Sequence, residues 1–298
     1  MSRLKSWCVA GIRITKIPEQ ESTDIPVKGL FPTWTCKEFA VDDTVASAAK
    51  LNFSTETLAL STHSWLIEID GKTILIDTAS GNDKVRPANP KFHLMKSGWM
   101  EALLCAGVSP ANVNAVLLTH LHVDHVGWNT VQEEERWVPT FPAAQYYLSA
   151  RELDFYANPV NVRQPSKGAI EDSVIPVVEA GIASFIDDTV NEICTEFKIH
   201  RTPGHSVDHL SFSLTRGEET ILFWGDVLHS PLQVIHPEFN SSFCEFPAEA
   251  ARSRQSILAF AQKTNALVFT SHFPGSSAGR VIQGKKSLTW QPEQESTL

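Results

Sequence analysis

Two short runs dense in apolar and β-branched residues, Trp65-Leu66-Ile67-Glu68-Ile69 and Thr73-Ile74-Leu75-Ile76, flank Asp70-Gly71 and predict a β-hairpin closed by a two-residue turn. Asp77 then falls at the end of a buried strand. The spacing of Trp99, Leu103 and Leu104 predicts a helix from Ser97 to a closing Gly107, and Ala115-Val116-Leu117-Leu118 predicts another buried strand. Gln145 to Leu148 reads as a strand, Ala150 to Tyr156 as a short helix and Val174 to Gly181 as a further helix. Strands are expected over Glu196 to His200, Leu210 to Leu214 and Thr220 to Trp224. A helix follows from Pro247 to Gln262, and a last buried strand from Ala266 to Thr270. Residues 11–50, with several prolines and only short apolar stretches, read as an N-terminal strand leading into an irregular arm. Without internal repeats or low-complexity linkers, the pattern predicts one α/β domain over residues 1–298, sheets inside and helices outside.

Composition narrows the partners. The chain has 298 residues, 42% of them hydrophobic, enough for a large core. A formal net charge of -9, with no basic run longer than Lys285-Lys286, argues against nucleic acid or an anionic membrane and leaves a small neutral substrate. Cys8, Cys36, Cys105, Cys194 and Cys244 form no CxxC pair and are odd in number, so reduced, mostly buried thiols are expected. Arg13 and Lys16 interrupt any apolar leader, and no segment approaches the roughly 18 apolar residues of a membrane span, so a cytoplasmic location is expected.

The chemistry concentrates in Thr119-His120-Leu121-His122-Val123-Asp124-His125-Val126-Gly127, directly after the strand ending at Leu118. In an extended segment residues two apart point the same way, so His120 and His122 can grip one metal ion. As the chain turns toward a helix, Asp124 and His125 are aimed at a second. His205 in Pro203-Gly204-His205, Asp226 after Gly225 and His272 after Ser271 each follow a predicted strand, where open α/β sheets gather their ligands at one edge. Taken singly, His205 or His272 is an ordinary solvated or hydrogen-bonded side chain and Asp226 a turn residue. Seven donors in this order form a binuclear set with Asp226 as the bridging carboxylate. Five His and two Asp suit Zn²⁺, with Mn²⁺, Fe²⁺ or Co²⁺ as alternatives.

The series His120-x-His122-x-Asp124-His125, His205, Asp226, His272 resembles the motif set of the metallo-β-lactamase superfamily, over about Trp65 to His272. The resemblance implies a four-layer αββα sandwich. It also implies His120, His122 and His205 on one ion, Asp124, His125 and His272 on the other, and Asp226 shared. Asp77 matches the family's strand-end aspartate, which orients the ligand loop by hydrogen bonding; its alternative is a turn carboxylate. The pattern is most similar to the quorum-quenching lactonases and the related esterases and organophosphate hydrolases. True β-lactamases usually lack the shared aspartate. Lactonases acting on acyl-homoserine lactones often carry Tyr three residues after that aspartate, where this chain has His229.

The resemblance implies hydrolysis by metal-bound hydroxide, opening a lactone or cleaving a carboxylic ester, with Asp124 or Asp226 carrying a proton to the leaving oxygen. His229 either contacts the substrate or caps its turn, and His63 reads as structural. Trp128, Trp137, Phe141 and Phe273 flank the motifs either as core or as walls of an apolar pocket. The alternatives are a phosphotriester or phosphodiester hydrolase, a nuclease, which the sparse basic residues disfavour, and a thioesterase of the glyoxalase type. Two remain: a flavodiiron-type partner, which needs an attached flavin domain, and a non-catalytic metal-stabilised binder. The arm at residues 11–50 suggests a lid or a homodimer contact.

Overall fold

The computed structural model describes residues 3–34, 43–194, 196–285 and 287–295. The chain forms two compact units, Met1–Gln20 with Thr62–Val190 and Glu21–Ser61 with Asn191–Leu298. It passes from the first to the second within one strand and returns within the next.

The first unit is built on β1 (Ser6–Val9), β2 (Ile12–Pro26), β3 (Thr57–Ile69), β4 (Lys72–Ile76), β5 (Ala115–Leu117), β8 (Gln145–Ser149) and β9 (Ala183–Ile186), in that sheet order. A separate hairpin joins β6 (Thr130–Glu133) to β7 (Arg136–Pro139). The β3–β4 hairpin pairs Trp65 with Ile76 and Ile69 with Lys72 around Asp70 (φ 48°) and Gly71 (φ 76°), the doubly left-handed turn that Asp-Gly favours. From β4 onward the pairing is parallel, β4 to β5 to β8 to β9. Trp99–Cys105 and Ala150–Tyr156 are helices, the latter with the bounds expected. Trp99, Trp128, Phe141, Tyr146 and Tyr156 belong to one buried cluster with Leu75 of β4, Val116 of β5 and Leu148 of β8. Because the parallel strands share a direction, Asp77 after β4, Thr119-His120 after β5 and Ser149 at the end of β8 come out at the same sheet edge.

The second unit carries β10 (Glu192–Ile193), β11 (Phe197–Arg201), β12 (Leu210–Arg216), β13 (Glu219–Phe223), β14 (Leu267–Phe269), β15 (Ala278–Gln283) and β16 (Leu288–Pro292), ordered as in sequence. Only β13 and β14 are parallel, and the intervening helix Pro247–Lys263 makes the crossover that a parallel pair requires. Its buried Ile257 and Leu258 pack in the cluster of Trp224, Phe273 and Trp290. Since β12 runs antiparallel to β13, the loop before β12 emerges at the edge where β13 and β14 end. That edge receives His205, Asp226 and His272.

The irregular arm is corrected by the structure. Residues Ile12–Pro26 form a 15-residue strand despite Pro18, with Ile12, Ile14 and Ile17 buried. Beyond it Val27, Leu30, Phe31, Trp34, Val45 and Ala49 form a buried cluster with Leu58, Leu232 and Phe239. The described part of the arm therefore has a core; residues 35–42 lie outside the described residues. Strands β15 and β16, past the last expected element, were also absent from the sequence pattern. Of the cysteines, Cys244 is buried but Cys8 and Cys105 are exposed, against the expectation of mostly buried thiols; Cys36 lies outside the described residues. Among the described residues no helix is long and apolar enough to cross a membrane.

Candidate metal centre

In the first unit the ligand segment leaves β5 extended and closes into the short helix Val123–Val126, with His122 at its cap (φ -72°, ψ 159°). His120 and His122 thus sit on extended chain, and Asp124 and His125 in the first helical turn, as their spacing predicts. Their rings cluster: His120 lies 4.5 Å from His122 and 4.1 Å from His125, centroid to centroid. Asp77 organises the group. Its Oδ1 accepts the Thr119 N–H and its Oδ2 the Thr119 hydroxyl, each at 2.8 Å, and Oδ2 lies 2.8 Å from His125 Nδ1. With its own proton given to Asp77, Thr119 Oγ1 accepts from His120 Nδ1 at 3.0 Å. One carboxylate therefore holds two imidazoles in the tautomer that leaves the Nε2 lone pair for a metal.

The backbone around this segment is braced on both sides. Thr78 N–H donates to His125 O, Gly127 N–H to Ala79 O and Trp128 N–H to Thr78 O. The two chains are so close that a Cβ on Gly127 would stand 1.9 Å from the Ser80 carbonyl carbon, which explains the glycine after the ligand motif. Glu19 secures the brace by accepting from Ser80 N–H (2.8 Å), Gly81 N–H (3.1 Å) and the Trp128 indole (2.9 Å). Burial pushes its carboxyl above the usual range, against the pull of those donors. On the other side Glu152, fully buried, accepts Leu121 N–H at 3.2 Å, and Ser166 Oγ accepts Val123 N–H at 3.2 Å. Tyr156 brings its hydroxyl to 3.3 Å from His122 Nε2.

In the second unit three imidazoles converge on one carboxylate oxygen. Asp226 Oδ2 lies 3.3 Å from His205 Nε2, 3.3 Å from His229 Nε2 and 3.0 Å from His272 Nε2, all four residues being buried. His272 donates Nδ1–H to Ser61 O at 2.8 Å, while Ser61 N–H returns a bond to His272 O at 3.0 Å. Asp226 is held from behind: its N–H donates to His209 Nε2 at 2.9 Å, and His209 Nδ1 donates to Thr202 Oγ1 at 2.8 Å. His205 is fixed through its carbonyl, which accepts from Glu245 N–H at 3.0 Å. His205, Asp226 and His229 each offer a ligand atom within 4.8 Å of the others.

His229 stands inside this cluster, stacked on His272 with centroids 5.4 Å apart. Burial holds its imidazole below the ordinary histidine range, opposed by the carboxylate of Asp226. Its N–H donates to Gln233 Oε1 at 2.7 Å, so the backbone caps a turn while the ring faces Asp226 and His272. His63 packs edge-on against Trp65, centroids 4.9 Å apart, in keeping with the structural reading. The aromatic wall does not materialise. Trp128 stacks on Trp99, Phe141 joins the same core, Phe273 packs against Trp224 and Trp290, and Trp137 lies under the Lys84 ammonium. Thr119, Glu152, Tyr156 and His209 escaped the sequence reading because their roles depend on contacts, although His209 stands only four residues after His205.

The donor set fits divalent metal ions: imidazole nitrogens and carboxylate oxygens, mostly buried, with Nδ1 of His120, His125 and His272 tied to Thr119, Asp77 and Ser61. The family model described as "Metallo-beta-lactamase superfamily" matches residues 58–272, which include both groups of candidate ligands. The lactamase-like protein nscB of Trichophyton rubrum is 31% identical over 166 residues, 55% of this chain but only 38% of that protein. Among solved structures, hydrolase AbOPH, placed by its description in the β-lactamase superfamily, superposes with a TM-score of 0.82 at 22% identity, covering 100% of this chain and 99% of that one. AidC, a dizinc quorum-quenching lactonase in complex with a product, N-hexnoyl-L-homoserine, gives 0.76 at 20% identity over 99% and 98%. These likenesses show the expected metallo-β-lactamase fold with its two large sheets. Fold, motif order and the match of the family model over most of the chain agree, and the chain belongs to the metallo-β-lactamase superfamily of metal-dependent hydrolases.

Proposed function

We propose that the chain is a binuclear metal-dependent hydrolase that opens a lactone or cleaves a carboxylic ester. In this reading the two units act as one domain: His120, His122 and His205 hold one ion, Asp124, His125 and His272 the other, and Asp226 is shared. The observation that carries it is Asp226 Oδ2 with three imidazole Nε2 atoms at 3.0 to 3.3 Å. His272 commits its Nδ1 proton to Ser61 O, so a neutral ring turns a lone pair on a carboxylate oxygen 3.0 Å away. Facing electron pairs repel unless a cation is supplied, and at the His272–Asp226 contact a metal ion supplies it without a further proton.

Two divalent ions, with zinc first in view of the dizinc AidC, supply a water acidified toward about pKa 7 and a Lewis acid for the substrate oxygen. The protein's own residues do the rest. Asp77 and Thr119 keep His120 and His125 as Nε2 ligands, and Ser61 does the same for His272. His209 fixes the backbone of Asp226. Asp124, the more exposed carboxylate at 21% side-chain exposure, carries the proton to the leaving oxygen, with Asp226 as its alternative. His229 reaches the ligand cluster as a neutral imidazole and hydrogen-bonds the substrate. With Trp128, Phe141 and Phe273 in the core and Trp137 against Lys84, the neutral character of the substrate rests on the net charge of -9.

The test is hydrolysis of γ- and δ-lactones, aryl esters, a thioester, a phosphotriester and a β-lactam by metal-loaded protein, with Asp226→Ala as control. Turnover of lactones or esters that the variant loses, together with part of its metal, supports the reading. A protein with two bound ions that turns over no carbonyl substrate refutes it and moves phosphoesters forward.

A further inference from the structure

The turn Ser241–Cys244 carries an aromatic ring to the surface beside the candidate ligands of the second unit. Cys244 N–H closes the turn on Ser241 O at 3.1 Å, with Ser242 and Phe243 at its centre. Both sides are anchored. Ser242 donates its N–H to Leu30 O and its hydroxyl to Gly29 O, each at 2.8 Å. Glu245 and Phe246 donate their N–H groups to His205 O and Gly204 O, at 3.0 and 2.8 Å. The turn is therefore tied to the loop that presents His205.

Phe243 departs from what a turn favours. Gly, Pro, Asn, Asp and Ser dominate turns because they suit the backbone angles and bond local N–H groups; Ser241 and Ser242 conform, and Phe243 does not. Its side chain is 46% exposed, while its ring centroid lies 5.8 Å from that of His229, tilted by 41°. His229, itself buried, stacks on His272 and brings Nε2 to 3.3 Å from Asp226 Oδ2. Part of the phenyl ring thus meets the ligand group and the rest meets water. Replacing water on such a surface by hydrocarbon is favourable, and the anchored turn holds the ring where hydrocarbon attached to a bound substrate arrives.

We propose that Phe243 is a specificity-determining residue that receives an alkyl chain of the ester or lactone. This inference rests on the hydrolase reading, in which His229 hydrogen-bonds the substrate: a chain of a few methylenes spans the 5.8 Å from that imidazole to the phenyl ring. Phe243 gives the site an apolar surface that Trp128, Phe141 and Phe273, packed in the core, do not supply. The chain is borne either on the acyl side of an ester or on the ring of a lactone, and both present the same hydrocarbon to the phenyl ring.

The test compares the metal-loaded wild type with Phe243→Ala and Phe243→Leu on two matched pairs, para-nitrophenyl hexanoate against the acetate and γ-nonalactone against γ-butyrolactone. The ratio of kcat/KM for the long member to that for the short one is measured for each protein, with metal per chain. The expected result is a ratio about tenfold lower in Phe243→Ala than in the wild type for at least one pair, and recovered to within about threefold by the apolar side chain of Phe243→Leu. The pair affected tells whether the chain is borne on the acyl side or on the ring. Wild-type ratios in Phe243→Ala for both pairs overturn the proposal. So does a loss shared equally by long and short substrates, since the ring would then only support His229 or the His205 loop. If the wild type hydrolyses none of the four, the hydrolase reading fails and calorimetric affinities for hexylphosphonate and methylphosphonate decide alone. A preference for the hexyl compound that Phe243→Ala loses upholds Phe243 as an alkyl contact; no preference, or one that the variant keeps, overturns it.

Discussion

Replacing Asp77 by Asn tests how the ligand loop is held, because it changes one atom and removes one charge at a side chain that faces three donors. The carboxylate accepts Thr119 N–H at Oδ1, and at Oδ2 it accepts the Thr119 hydroxyl and faces His125 Nδ1, each at 2.8 Å. An amide has only one oxygen. If its NH2 group takes the place of Oδ2, it meets the His125 Nδ1 proton; if it takes the place of Oδ1, it meets the Thr119 N–H. In the first orientation His125 escapes by moving its proton to Nε2, which then has no lone pair for a metal. Loss of such an orienting partner costs about 10- to 100-fold in metal affinity, or about 1.4–2.7 kcal/mol at 1.36 kcal/mol per decade. In the second orientation a buried donor loses its acceptor, worth about 1–3 kcal/mol of folding stability. Competition against a chromogenic chelator, ion by ion, and urea unfolding of the metal-free protein measure the two costs. Asp77→Asn with wild-type metal affinity and wild-type stability would show that Asp77 is only a turn carboxylate.

Two further predictions follow from packing and burial. Gly127→Ala places a Cβ 1.9 Å from Ser80 backbone, where no side chain can yield, so it should cost about 3 kcal/mol or more and lower the melting temperature sharply; a melting curve like the wild type's would mean the two segments separate easily. Lys84 has its ammonium held down to about 7 by burial, partly offset by Asp172. Between pH 7 and the unfolded value of 10.5 the unfolded chain binds the extra proton, so this group raises stability with pH, by up to about 1.4 kcal/mol per unit, and adds no slope below pH 7. Denaturation at pH 7, 8 and 9 should show this slope in the wild type and lose it in Lys84→Met; equal slopes would refute the assignment.

The site was legible in the sequence to the extent that its geometry is local. His120, His122, Asp124 and His125 lie within six residues, and the change from extended chain to helix that their spacing predicts falls at the His122 cap. The Asp70-Gly71 turn and the helix from Pro247 depend on φ preferences and periodicity that a short window contains. The long strand Ile12–Pro26 was hidden because its polar and proline positions carry no two-residue pattern beyond Ile17. The four aromatics beside the motifs could be read as wall or core, and packing placed three of them in hydrophobic clusters and Trp137 against Lys84.

What the sequence determined by itself was the family, the order of the candidate ligands and the elements that carry them, since chain spacing and backbone preference act over a few residues. What only the tertiary structure decided was which groups hold the candidate ligands and their segment: Asp77 on His125 across 48 positions, Ser61 on His272 across 211, Glu152 on Leu121 across 31 and Tyr156 on His122 across 34. Hydrogen bonds work over about 3 Å, and which donor meets which acceptor across such spans is set by the folding of the sheets, not by the spacing of residues along the chain.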